Sequence, residues 1–337
     1  MPSQARGPGD GSRAMARAAG PVPVAEVFST AGLAGPRRIE LWERHNTTAL
    51  IGLSCHPAGP DPLAAAELNV QLDQVHLARV GGSPHVVRRT PGIIRRSPAD
   101  AIAVYLTLRG DAWFEDEHGT RNLRPGHLLI CDADRPFARG FARGLEELVI
   151  KVPRPAFAQS TGLASLAVPV ISGFSPGGDP YARALARLAD RAARLEAAVP
   201  ADERTVLDLV AVLSAGRDTS RPVAYRAAAR SFIEAHLRDP GLSASQVAAA
   251  IGVSARHLSR IFAADGISVP QHVLSRRLHL AYAILADPAG PGRTVADVAA
   301  GCGFTSADYF SHAFREHFGR RAGEVRDQAQ AARLAAS

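Results

Sequence analysis

The chain has 337 residues, of which 46% are hydrophobic and 21% charged, a balance that suits a globular protein with room for two or three cores. No apolar run approaches the roughly 20 residues that span a bilayer, and no apolar segment follows the N-terminal arginines, which argues against a secretory leader. The net charge of +7 is almost all arginine, Lys151 being the only lysine; this permits a polyanion partner without requiring one.

Residues 1–24 are rich in Gly, Pro, Ala, Ser and Arg without periodicity, which predicts a disordered tail. From 25 to 172 the pattern is short and strand-like. The runs "TALIGLSCH", "QVHLARV", "PHVVRR", "AIAVYLTLRG", "HLLICD" and "ELVIKV" are separated by Gly, Pro, Asp and Asn clusters, as in an antiparallel sandwich or barrel. In "AVYLTLR", Val104, Leu106 and Leu108 face one way and Tyr105, Thr107 and Arg109 the other. Over 173–222 the period turns helical. Pro180 opens a helix lined by Leu185, Leu188, Ala192 and Leu195, Pro200 ends it, and Val206, Leu209, Val210 and Leu213 line a second. These helices need a partner, either the neighbouring sheet or a second subunit.

From 223 to 337 the pattern is all-helical, and it repeats. "SASQVAAAIGVSARHLSRIF" (243–262) aligns with "TVADVAAGCGFTSADYFSHAF" (294–314). Val247-Ala248-Ala249 matches Val298-Ala299-Ala300, Gly252 matches Gly303, and Leu258 and Phe262 match Phe310 and Phe314. Each copy opens on a capping signature, Ser243-x-x-Gln246 or Thr294-x-x-Asp297. A short Ala-rich helix, a glycine turn and a second helix capped by Ser254 or Ser306 then follow. This is helix-turn-helix logic, and two copies are far more specific than one. Between them "SVPQHVLSRRLHLAYAILAD" (268–287) forms one long helix, its stripe of Val273, Leu274, Arg277, Leu278, Ala281 and Leu285 able to pack on both units.

The stretches "LSASQVAAAIGVSARHLSRIFAADG", "RRLHLAYAIL" and "VADVAAGCGFTSADYFSHAFREHFG" resemble the AraC/XylS family of bacterial transcription regulators. The resemblance covers about 100 residues at the C-terminus. It departs after Gly319, where relatives place a Ser-Pro pair before a Tyr-Arg and this chain has "RRAGEVR". It implies double-stranded DNA as partner, with the second helix of each unit in the major groove. The residues it carries to that role are Arg256, Ser259 and Arg260 in the first unit, and Ala307, Asp308, Ser311, His312 and Arg315 in the second. Arg260 has the planar fork suited to guanine O6 and N7, and Arg315 suits phosphate. The resemblance also implies a homodimer, contact with RNA polymerase, activation as the commoner mode, and a cytoplasmic protein. Cys55, Cys131 and Cys302, too far apart for a zinc site, agree with thiols in a reducing compartment.

Residues 42–157 are similar to the cupin-like, small-ligand-sensing domain that precedes the reader in many such regulators, through "LWERHNTTALIGLSCHP", "RPGHLLICDADRPFARGF" and "LVIKVPR". The expected fold class is therefore α+β: a cupin-like β-rich sandwich or barrel (25–172), a helical dimerisation or coupling segment with linker (173–222), and an all-α reader (223–337) whose two helix-turn-helix units are joined by a long helix. His85, Arg88, Arg89, Tyr105, Trp113 and His127 mix aromatic surface with polar tips near predicted strands and are the candidate effector contacts. The two arginines point to a carboxylate, and the resemblance adds aromatic metabolites. Enzymatic cupins carry a His-x-His pair, which is absent here. No nucleophile–base spacing can be recognised, so neither metal, cofactor nor enzymatic activity is expected. Two alternatives stay open: a cupin-type enzyme with an appended reader, and a regulator that needs no effector.

Overall fold

The computed structural model describes residues 25–194, 199–215, 221–288 and 292–335; the tail expected over 1–24 and Leu195 lie outside the described residues. The first part comprises β1 (Ala25–Ser29), α1 (Gly35–Ala49), β2 (Ser54–Pro57), β3 (Ala65–Gln71), β4 (His76–Gly82), β5 (His85–Arg89), α2 (Pro91–Arg96), β6 (Ala101–Arg109), β7 (Ala112–Asp116), β8 (Gly119–Leu123), β9 (His127–Asp132), β10 (Phe137–Phe141), β11 (Leu145–Pro153), α3 (Arg154–Thr161) and β12 (Val170–Gly173). Helices α4 (Pro180–Ala192), α5 (Glu203–Ala215), α6 (Arg221–His236), α7 (Ala244–Ala250), α8 (Ala255–Ala263), α9 (Val269–Ala286), α10 (Val295–Gly301), α11 (Ala307–Phe318) and α12 (Ala322–Ala335) follow. None of the described helices is long and apolar enough to cross a membrane. The α+β plan, a β-rich sandwich before an all-α region, is the observed one.

Two antiparallel sheets face each other, ordered β1-β3-β4-β11-β6-β9-β12 and β2-β5-β10-β7-β8. The seven-stranded sheet is covered on both faces, so its strands are apolar on both sides. Strand β6 shows the division: Ile102, Val104 and Leu106 enter the core beneath α3, α4 and α5, whereas Ala103 and Tyr105 enter the core between the sheets. Helices α4 and α5 bury Leu185, Leu188, Val206, Leu209 and Leu213 in the first of these cores. The sheet is thus the partner of these apolar faces.

Two sequence expectations change. "TALIGLSCH" is not one strand. Its first residues end α1, and only Ser54–Pro57 is extended. A short apolar run fits either state by periodicity, and here Trp42, Asn46 and Leu50 bury one side of the helix and its end against the inter-sheet core. Strand β3 gave no alternation signal because it turns Glu67 and Asn69 into the protein, both at most 5% exposed.

A buried ionic cluster joins the sandwich helices to the reader. Arg230 of α6, 1% exposed, lies 2.8 Å from Asp265 just beyond α8, 3.4 Å from Asp208 of α5 and 3.6 Å from Asp202. Arg226 holds Asp208 through Nε at 2.9 Å and Nη2 at 2.6 Å, while Arg276 of α9 bonds Glu234 and the Pro200 carbonyl. His272 sits among Asp202, Arg230, Arg276 and Glu234; burial, reinforced by the two arginines, lowers its pKa to about 4. The folded state therefore refuses a proton that the unfolded chain accepts below about 6.5, so stability must fall on acidification from 6.5 towards 4. Unfolding free energies from denaturant titrations at pH 7 and pH 5 are expected to differ by about 2 kcal/mol from this residue, and His272→Gln should flatten that slope.

Candidate DNA-reading face and effector chamber

The two helix-turn-helix units are built by the same local devices. Ser243 with Gln246 and Thr294 with Asp297 form complete capping boxes at α7 and α10. Ser254 and Ser306 then accept the amides of His257 and Tyr309 to start α8 and α11, satisfying donors a helix start leaves free. Between the helices Gly252 and Gly303 take φ values of +71° and +83°, conformations that cost other residues strain. The two turns differ in crowding. A Cβ on Gly252 would meet nothing within 4 Å, but one on Gly303 would lie 2.7 Å from the Leu237 carbonyl oxygen and 3.0 Å from Arg277 Nε. Gly252→Ala is therefore expected to cost about 1–2 kcal/mol of backbone strain. Gly303→Ala should cost clearly more, as it also displaces the 2.9 Å bond from Arg277 to Leu237; paired thermal melts check the order.

Helix α9 locks both units. Val269 and Val273 belong to the core that holds Leu258, Ile261 and Phe262 of α8, while Leu278, Ala281 and Leu285 belong to the one holding Phe310 and Phe314 of α11. Phe310, Phe314 and Phe318 form a ladder with ring centroids 5.4 and 4.7 Å apart, closed by Tyr282. With those faces buried, the opposite faces of α8 and α11 are open. Arg256, Ser259 and Arg260 are exposed on one, and Ala307, Asp308, Ser311, His312 and Arg315 on the other. Arg260 touches only His257, at 3.4 Å, among its described side-chain bonds. Two residues of this face were not anticipated: Tyr309, 56% exposed, and Glu316, 3.8 Å from His312. Tyr309 was legible, being one position off the phenylalanine stripe. After Gly319, "RRAGEVR" opens the 14-residue α12, which packs Ala322 and Val325 against the second unit.

A family model described as a helix-turn-helix domain matches residues 247–328, and one described as an AraC-binding-like domain matches residues 42–215, more than half of the chain. The chain belongs to the AraC family of transcription regulators. It is a DNA-binding regulator with an AraC-binding-like domain ahead of its reader. The transcriptional activator NphR of Rhodococcus sp. is 26% identical over 270 residues, covering 75% of this chain and 78% of that protein. The transcriptional activator RhrA of Rhizobium meliloti (strain 1021) is 33% identical over 101 residues, 30% of this chain and 32% of that protein. The crystal structure of the AraC-like transcriptional activator CuxR covers 85% of this chain and 99% of its own at 17% identity, with a TM-score of 0.48.

In this AraC-family chain the sandwich holds a small, partly open chamber of about 40 Å³ between α1 and the two sheets. Apolar walls come from Trp42, Leu50, Val80, Val87, Phe141 and Val149. Its polar heart is Arg139 on β10, which donates to both Glu147 oxygens on β11 at 2.9 and 2.7 Å and lies 3.7 Å from the centre of the Tyr105 ring. Arg139 and Glu147 are 1% and 4% exposed. Burial opposes the Arg139 charge, but the Glu147 carboxylate outweighs it and keeps the guanidinium protonated. The Tyr105 hydroxyl and Arg139 Nε are buried with no hydrogen-bond partner among the described residues. A wider groove of about 450 Å³ between α9 and α12 has no such atoms among its lining residues.

Of the six residues read from sequence as effector contacts, the structure brings His85 and Tyr105 to this chamber. His85 donates Nδ1–H to the Ser83 carbonyl at 2.6 Å, and burial lowers its pKa, leaving it neutral. The other four lie elsewhere. Arg88 is exposed on the outer face. Arg89 is buried but spent on structure, donating to the Ala133, Gly52 and Ser97 carbonyls and to Asp134. Trp113 packs on Gly140 outside the sheet, where a Cβ would meet its indole at 2.2 Å. His127 starts β9 opposite Gly173, away from the chamber lining. Arg139 and Glu147 are chamber residues outside the six candidates. The signal was present in "FARGF", where alternation puts Arg139 on the same side as Phe137 and Phe141.

Proposed function

We propose that this protein is an effector-responsive transcription activator that reads two successive major-groove segments with α8 and α11. The observation that carries this reading is the shared anchoring of both helices on α9 with their polar faces outward. Arg256, Ser259, Arg260, Ala307, Asp308, Ser311, His312 and Arg315 make the DNA contacts, with Tyr309 added. The activators among its relatives support activation, hence contact with RNA polymerase, and the family pattern supports a homodimer. The chamber holds the effector. Its occupancy is transmitted through α4, α5 and the Arg230 cluster, because a ligand that favours one arrangement shifts the population towards it.

Footprinting on the intergenic DNA beside its own gene, with random DNA in excess, tests the reading. Two protected segments about 10 base pairs apart on one face are expected. Protection of a single segment, or loss of all protection to competitor, would reject two-helix reading. In vitro transcription with RNA polymerase separates activation from repression.

A further inference from the structure

The geometry points to an uncharged effector: a small aromatic molecule bearing a carbonyl, amide or hydroxyl acceptor, bound against Arg139 Nε and the Tyr105 hydroxyl. This rests on the reading of the sandwich chamber as the effector site.

The charge of the chamber decides the class. Arg139 and Glu147 satisfy each other through both guanidinium terminal nitrogens, so the pair is neutral before any ligand arrives. Glu67 stands in the same cross-strand row, since Val80 is opposite both Glu67 and Glu147. An anionic ligand would add a charge beside these carboxylates, with no unpaired cation among the described lining residues to answer it, and uncompensated buried charge is strongly unfavourable. A cation would meet the Arg139 guanidinium in the lining itself, whereas the Glu67 carboxylate lies outside the lining, beside His45. What the chamber lacks is an acceptor: Arg139 Nε has a proton and no partner, and the Tyr105 hydroxyl is likewise unpaired. Buried polar groups of this kind are satisfied in nearly all native structures, so a neutral acceptor is what the site is short of. The remaining lining selects the body of the ligand, with Trp42 and Phe141 offering aromatic faces and Leu50, Val80, Val87 and Val149 aliphatic ones.

Size adds a consequence. A cavity that binds benzene is about 150 Å³, and the chamber is about 40 Å³, so one wall must yield. Strands β4, β5, β6, β10 and β11 are each hydrogen-bonded on both sides. Helix α1 is held by side chains instead, Glu43 accepting the Cys55 amide at 2.7 Å and His45 lying 3.2 Å from Glu67. The ligand enters by displacing α1, and Trp42 on that helix reports the event.

The test uses full-length Trp113→Phe, which leaves Trp42 as the single tryptophan and alters a side chain outside the chamber. Benzamide, benzyl alcohol and benzoate are titrated against Trp42 emission, with melting temperature as a second readout. The expected result is a response to benzamide or benzyl alcohol at concentrations at least tenfold below benzoate. Glu147→Gln removes the countercharge and should reverse that order. Should this variant fail to fold, Arg139→Met/Glu147→Met removes both charges and must lose the benzamide response. Benzoate preferred by the Glu147 protein, in an Arg139-dependent way, overturns the neutral class while leaving the chamber as the site. Silence of Trp42 and of the melting temperature to all three probes, in folded protein, overturns the chamber as a binding site and the inference with it.

Discussion

Arg230→Ala is expected to lower folding stability by about 3–5 kcal/mol, the range for removing one partner from a buried ionic group. The side chain is 1% exposed and stands between three carboxylates, those of Asp202, Asp208 and Asp265. Among the described residues its loss leaves Asp265 with Arg226, at 3.6 Å, and Asp202 with Thr205 as its close side-chain partner. Water cannot easily replace what is lost, because Asp208 beside them is itself 3% exposed. Arg226→Ala is the informative comparison. That side chain is 20% exposed, so solvent can partly answer its removal, and a smaller loss is expected. Urea midpoints at pH 7 measure both. A change under about 1 kcal/mol for Arg230→Ala would place the cluster among the weak surface pairs, and the coupling route through α5 and α6 would lose its basis. Asp265 lies two residues beyond α8, so any Arg230 variant that stays folded is also expected to bind operator DNA more weakly.

The second large effect concerns DNA. Arg260→Ala should weaken operator binding by about 1–3 kcal/mol and relax discrimination at one base pair. Arg315→Ala should weaken binding to all sequences alike and reduce the salt slope by about one. Because the two residues sit on different helices with no shared partner, the double variant should lose close to the sum. Both are exposed, so stability should stay within about 0.5 kcal/mol of the parent. That separates lost contacts from lost folding. Anisotropy titrations on operator and random duplexes at several salt concentrations give affinity, specificity and slope together. An unchanged operator affinity in the double variant would remove α8 and α11 as the reading elements.

The reader was legible because its determinants are local. Capping boxes span three residues, the glycine turns join helices a few residues apart, and the Phe310, Phe314 and Phe318 ladder recurs at helical spacing. Each feature acts within one or two turns of chain, so a linear reading recovers it. The partial repeat then made a second, independent instance of the same pattern.

The sandwich was legible only as a class. Its seven-stranded sheet is covered on both faces, so alternation no longer marks the interior there, and in the five-stranded sheet alternation separates two faces without telling which one is inside. A buried arginine then looks like an exposed one. Arg88 and Arg89 are neighbours of identical chemistry, yet one faces solvent and the other is locked among carbonyls. The family, the double helix-turn-helix and the outward positions of its second helices follow from linear pattern, because helices carry their own periodicity and caps. That Arg139 meets Glu147 and Tyr105, and that Arg230 gathers Asp202, Asp208 and Asp265, is set by the three-dimensional packing. Those partners are set by strand register and helix packing across 22 to 35 residues of chain for the contacts of Arg230 with Asp208 and Asp265. The energy of a buried charge depends on which neighbours that packing delivers.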